Sequence, residues 1–153
     1  MPDGLNLSCS ADDWINFEKD DRARIPDGEY SAVLVYHHTS YIFRTPKVYL
    51  WFRIVNPGPF FETMLYRAYR VKSIKGKGKR NGGLTVGRSS DLKKDIVRLM
   101  GLKVRPERIS LAELRSKQWR IRTRTVSRDY RQDALPAWER YSVVDRILFS
   151  ETH

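Results

Sequence analysis

The nine residues Lys47-Val-Tyr-Leu-Trp-Phe-Arg-Ile-Val55 constrain the fold of this chain more than any other stretch. A β-strand turns successive side chains to opposite faces, so Val48, Leu50, Phe52 and Ile54 share one wholly apolar face. Tyr49, Trp51 and Arg53 share the other. The pattern predicts a strand with one face in a core and two large rings beside a guanidinium on the opposite face. Exposed rings of that size cost solubility unless something covers them. Bases stacking on the rings would do so, with Arg53 adding phosphate or cation–π contact. An N-terminal segment, a helix or a second subunit would also cover them.

The flanking sequence builds a mainly β domain around this strand. Glu29–Tyr36 is rich in β-branched and aromatic residues and predicts a strand. The stretch from His37 to Pro46 then reads as the connection to the second strand. Asn56-Pro57-Gly58-Pro59 predicts a tight turn, and the run Phe60–Lys72 a third strand paired as a hairpin. Polar residues fall on both faces of that run, so a bulge is expected within it. A helix is expected to begin at Ser89 or Ser90, bury Leu92, Ile96, Leu99 and Met100, and stop at Gly101. Pro106 separates it from a short second helix, where Ser110 and Glu113 have capping-box spacing. Gln118–Val126 alternates strictly, with Arg120, Arg122 and Arg124 on one face, and Tyr141–Phe149 is the last strand.

Charge narrows the partner. The 29 Lys and Arg against 18 Asp and Glu give +11 and a pI near 10.0. Residues 1–29 hold eight acids and three bases, net −5, which leaves +16 for the remainder. A field of that sign concentrates polyanions, and nucleic-acid backbones are the commonest. The row Arg120, Arg122, Arg124 has no acid nearby in sequence, since residues 115–128 contain none, and is expected to touch phosphates. Lys75, Lys77, Lys79 and Arg80, spaced by Gly76 and Gly78, read as a flexible cationic loop that would wrap a strand. It lacks the Gly-Lys-Ser/Thr ending of a nucleotide-binding P-loop. The acidic residues 1–27 form an expected arm, with a short helix from Asp12-Asp13 through Trp14, Ile15 and Phe17, that would fold over the basic face or dock a protein partner.

Other chemistries find little support. His37 and His38 are adjacent and point to opposite faces of a strand, so they cannot ligate one metal from it, and no metal is expected. Tyr130 near Arg124 and Arg128 evokes strand-transfer chemistry, but no His or carboxylate pair accompanies it, so no catalytic residue is expected. A single Cys9, no long apolar run and no basic-then-apolar start lead to the expectation of a cytoplasmic protein without membrane contact or cofactor.

The order strand, strand, strand, helix, strand, strand is that of the OB-fold, a small five-stranded barrel. With Pro26-Asp27-Gly28-Glu29-Tyr30 at its opening, the apolar-aromatic strand Val48–Ile54 and the helix Asp91–Met100 ending at Gly101, the chain from about Pro26 to Tyr141 resembles the OB-fold single-stranded DNA-binding proteins of phages and mobile elements. The resemblance implies one nucleic-acid-binding domain over residues 28–153 and a role in replication, recombination or element maintenance. The chain departs from that group in carrying its acids at the N-terminus, with Ser150-Glu151-Thr152-His153 at the other end. The leading expectation is a non-enzymatic single-strand binder, of DNA before RNA, free to self-associate. The competing one is a protein inhibitor or accessory factor acting on a nucleic-acid-bearing complex.

Overall fold

A computed structural model describes residues 22–101 and 111–152. The helix expected at Asp12-Asp13 and the contribution of Pro106 and Ser110 lie outside the described residues. The alternation of residues 47–55 produces the second of seven strands: β1 (Glu29–Ile42), β2 (Thr45–Ile54), β3 (Met64–Arg70), β4 (Ser73–Ile74), β5 (Leu84–Thr85), β6 (Gln118–Val126) and β7 (Tyr141–Ser150). Helix α1 (Asp91–Met100) and the single turn α2 (Ala112–Arg115) lie between β5 and β6, and a 3-10 turn (Ala137–Glu139) precedes β7. Five strands form one antiparallel sheet in the order β3-β2-β1-β6-β7, and β4 and β5 pair as a separate ribbon.

The apolar side of β2 is the floor of the core. Val48, Leu50, Phe52 and Ile54 are fully buried beside Leu34, Leu65, Trp119, Ile121 and Ile147 from the neighbouring strands. Helix α1 adds Leu92 and Ile96. Its start and stop follow the expected chemistry: the Ser90 hydroxyl accepts the Lys93 N–H, and Gly101 takes φ 65° as its N–H reaches Val97 O. Trp119 anchors α2 to the sheet by donating its indole N–H to Leu114 O at 2.8 Å.

Several expectations change. The stretch His37–Ser40 is not a connection but the second half of β1, and the turn shrinks to Phe43-Arg44. The bulge falls in β1, between Leu34 and Tyr36, with further irregularities between β6 and β7, while β3 pairs with β2 in unbroken register. The mixed pattern of residues 60–72 has two other causes. The strand begins only at Met64, and Arg67 shares the inner face with Leu65 and Tyr69. The second helix starts after Leu111, which makes no side-chain cap. Residues 22–27 belong with the body: Ile25 is in the core, and Ala23 O accepts the Ser142 N–H of β7.

The sheet does not close into a barrel. No backbone ladder joins β3 to β7 among the described residues; guanidiniums bridge the seam instead. Arg67 donates to the carbonyls of Val144 and Asp145, and Arg98 of α1 to those of Ile147 (2.7 Å) and Leu148 (3.2 Å). Asp95 holds both, at 3.4 and 3.3 Å, and accepts the Tyr69 hydroxyl at 2.5 Å. Burial pushes the Tyr69 phenol well above its ordinary range, which keeps it a donor. The free carbonyls of an edge strand are thereby occupied, one established way of blocking edge-to-edge association.

Candidate nucleic-acid interface

Tyr49 and Trp51 do share a face with Arg53, as alternation requires, but they are not open platforms. They are 7% and 5% exposed, and only Arg53 reaches solvent. The reason lies in neighbouring strands. Tyr36 of β1 stacks on Trp51 at 6.2 Å, while Tyr66 of β3 meets both Trp51 and Tyr49 edge-on at 5.1 Å. Tyr66 in turn lies 6.5 Å from Tyr141, and the guanidiniums of Arg22 and Arg80 cap the rings of Tyr141 and Tyr36 at 4.0 and 4.1 Å. Rings from four strands thus make a second apolar layer. Burial pushes the Tyr49 phenol up to about 12 despite the opposing charge of Arg22, and raises Tyr66 as well.

Arg120, Arg122 and Arg124 occupy one face of β6 as expected, yet they are not an uncompensated ladder. Acids distant in sequence reach them: Glu29 and Glu151 lie 3.5 and 3.9 Å from Arg120, and Asp145 lies 2.9 and 3.1 Å from Arg122 and Arg124. One carboxylate serving two guanidiniums leaves one positive charge over at the Arg122–Arg124 end.

The Lys- and Gly-rich segment is also not a free loop. It is the tip of the β4–β5 ribbon, fastened along β1 where β6 no longer pairs. Thr39 N–H donates to Lys79 O, Asn81 N–H to His37 O, and the Asn81 side chain accepts the His37 N–H. The contact is close at Gly78: a Cβ there would lie 2.3 Å from Thr39 O. Lys75, Lys77, Lys79 and Arg80 are therefore exposed cations on a fixed ridge.

The two histidines point to opposite faces, as expected. His37 is buried; its Nε2–H donates to Gly82 O at 2.8 Å, and its Nδ1 accepts from Arg115 at 3.1 Å. Arg115 can only donate, so the ring is the neutral Nε2–H tautomer. Burial lowers the His37 pKa and, together with Arg80, brings His38 down to about 4.

The exposed rings stand elsewhere, on two loops that the sequence reading did not join. Phe43 at the β1–β2 turn is 80% exposed and Tyr130 in the β6–β7 connection 72%, and their centroids lie 5.8 Å apart. Arg131 sits over Tyr130 at 5.4 Å, Arg44 is exposed beside Phe43, and Trp138, 86% exposed, follows in the same connection. Phe43 and Arg44 both have positive φ, 50° and 65°, which defines a two-residue I′-type turn without its usual Asn or Gly. The β6–β7 connection is stiffened locally, because the Asp129 carboxylate accepts the N–H groups of both Arg131 and Asp133.

Between β3 and this connection lies a cleft of about 500 Å³. Tyr66, Arg67 and Ala68 of β3, Arg124 of β6, Arg128 and Gln132 of the connection and Tyr141 of β7 line it, and no carboxylate does. Tyr130 stands between Arg128 and Gln132 in sequence, so the connection that carries one ring of the pair also lines this donor-rich cleft. A sequence signal existed, since Tyr130 and Trp138 interrupt a polar stretch, but nothing local connected them to Phe43.

Among the described residues no group of three His, Cys, Asp or Glu is placed to hold a metal ion, and no helix is long and apolar enough to cross a membrane. Comparison with protein-family models, curated proteins and solved structures finds no match.

Proposed function

We propose that this chain is a non-enzymatic protein that binds single-stranded nucleic acid, DNA foremost, at the rim formed by the β1–β2 turn and the β6–β7 connection. One observation carries the reading: rings from two separate loops, Phe43 and Tyr130, meet in solvent beside exposed Arg44 and Arg131, and the connection that holds Tyr130 also lines a cleft without carboxylates. Aromatic rings interleaved with cations bind unpaired bases and their backbone together, at about 1–3 kcal/mol per stacked base.

The strand order with β1 at its centre and α1 ahead of β6 supports an OB-like arrangement, in which these two loops flank the ligand groove. Service in replication, recombination or mobile-element maintenance follows from that likeness. The β2 rings take a structural role in this reading, and the ridge Lys75, Lys77, Lys79 and Arg80 extends the positive field.

The test is anisotropy titration of a labelled oligothymidylate at about 50 and about 200 mM salt. Binding that weakens steeply with salt, and falls about tenfold or more in the Phe43→Ala/Tyr130→Ala double variant, supports the proposal. Absence of binding at the lower salt would overturn it and leave a protein-docking module as the surviving reading.

A further inference from the structure

We infer that the cleft between β3 and the β6–β7 connection receives one nucleotide unit from the bound strand, with its phosphate against Arg124 and Arg128 and its base against Tyr66 and Tyr141. The inference rests on the nucleic-acid reading above and adds a defined seat within it. Three features single out this chemistry.

The first is size. A cleft of about 500 Å³ lies within the range that holds a small organic ligand, and it suits one nucleotide rather than a run of strand.

The second is charge. Arg124 shares the Asp145 carboxylate with Arg122, so among the described residues one positive charge of that pair is uncompensated. Arg128 makes its hydrogen bond to a neutral carbonyl, that of Gln132, at 2.8 Å, and has no carboxylate partner among the described residues. With no acid in the lining, an anion entering the cleft meets the guanidiniums of Arg124 and Arg128, with Arg67, which is paired to Asp95, as a third arginine of the wall.

The third is the pairing of rings with an amide. Tyr66 and Tyr141, with centroids 6.5 Å apart, both line the cleft and are the rings a base would meet there, with Arg22 covering one face of Tyr141 at 4.0 Å. Gln132 offers a side-chain amide, which both donates and accepts as base edges do. Gln132 is also held at φ 67°, a left-handed conformation that costs a non-glycine residue stability and is concentrated at ligand sites.

The test uses the full chain with three probes: thymidine monophosphate, thymidine and a labelled oligothymidylate. Ala68 lines the cleft and is exposed, so Ala68→Leu narrows the space without disturbing the core. Arg128→Gln removes charge and keeps polarity. We expect saturable binding of the monophosphate, weaker by about tenfold or more for thymidine, which lacks the phosphate. Ala68→Leu should weaken monophosphate binding by about tenfold and oligonucleotide binding several-fold, with an unchanged melting temperature. Arg128→Gln should reduce the salt slope of oligonucleotide binding by about one.

If the oligonucleotide binds while the monophosphate does not, and Ala68→Leu binds like the parent, the cleft assignment is overturned and the loop-rim reading stands. If Ala68→Leu abolishes monophosphate binding but leaves oligonucleotide affinity intact, the cleft serves free nucleotides and the strand assignment is overturned. If no oligonucleotide binds, the proposed function fails and the strand assignment fails with it.

Discussion

Phe43 and Arg44 sit in a turn that Asn-Gly would form without strain, since both positions have positive φ. A bulky residue held there costs about 1 kcal/mol or more, and strain of this kind marks places where the side chain is wanted for another purpose. The pair Phe43→Asn/Arg44→Gly should therefore raise stability by about 1–2 kcal/mol while weakening oligonucleotide binding. Urea unfolding and anisotropy titration on the same variant read both effects. If both stability and affinity fell, the strain would not be serving a ligand. This is also where the sequence was least legible. Turns are legible through Gly, Asn and Pro, and Phe-Arg carries none of them, so the sequence marks only the longer connection His37–Pro46. The alternation of Val48–Ile54 was fully legible because the pleat dictates it, and Tyr49 and Trp51 do lie opposite the core. What covers an outer face depends on partners far along the chain, here Tyr36, Tyr66 and Tyr141. For the same reason the arginine row looked uncompensated: Asp145 is over twenty residues from Arg122 in sequence but adjacent across the β6–β7 ladder.

Among the elements, the β4–β5 ribbon shows how composition can mislead. Glycines among lysines suggest mobility, yet Gly78 is required because the ribbon tip lies directly on Thr39. Gly78→Ala should cost about 2 kcal/mol or more, since φ is +99° and the new methyl meets backbone. Gly76→Ala has φ +68° and open space, and should cost only about 1 kcal/mol. Equal losses in urea unfolding would show that the ribbon is not seated on β1. The histidines beneath it add a pH dependence. His37 and His38 are neutral in the fold with pKa values below 6.5, so the unfolded chain takes up protons first as the solution is acidified. Their contribution to stability is complete above about pH 6.5 and is lost as pH falls toward about 4. Urea midpoints should drop across that window in the parent, with a flatter profile in His37→Gln/His38→Gln. The same slope in both proteins would remove the histidines from the account.

At the scale of the whole molecule, the sheet is held short of closure by side chains rather than by a ladder. Asp95 is the common partner of Arg67, Arg98 and Tyr69, so Asp95→Ala leaves two guanidiniums and a phenol without it and should cost about 3 kcal/mol. A loss below about 1 kcal/mol would mean that the seam is held by other contacts. The seam joins β3 to β7, and residues of both strands, Tyr66 and Tyr141 among them, line the cleft together with Arg124 and Arg128. The most direct measurement of the central claim follows the four tryptophan indole N–H signals by NMR while a single-stranded oligonucleotide is added. The signal of Trp138, in the exposed connection, should shift at stoichiometric oligonucleotide, while those of Trp51 and Trp119, buried within the fold, stay in place. A shift centred on Trp51 with Trp138 unmoved would return the interface to the β2 face and contradict the claim.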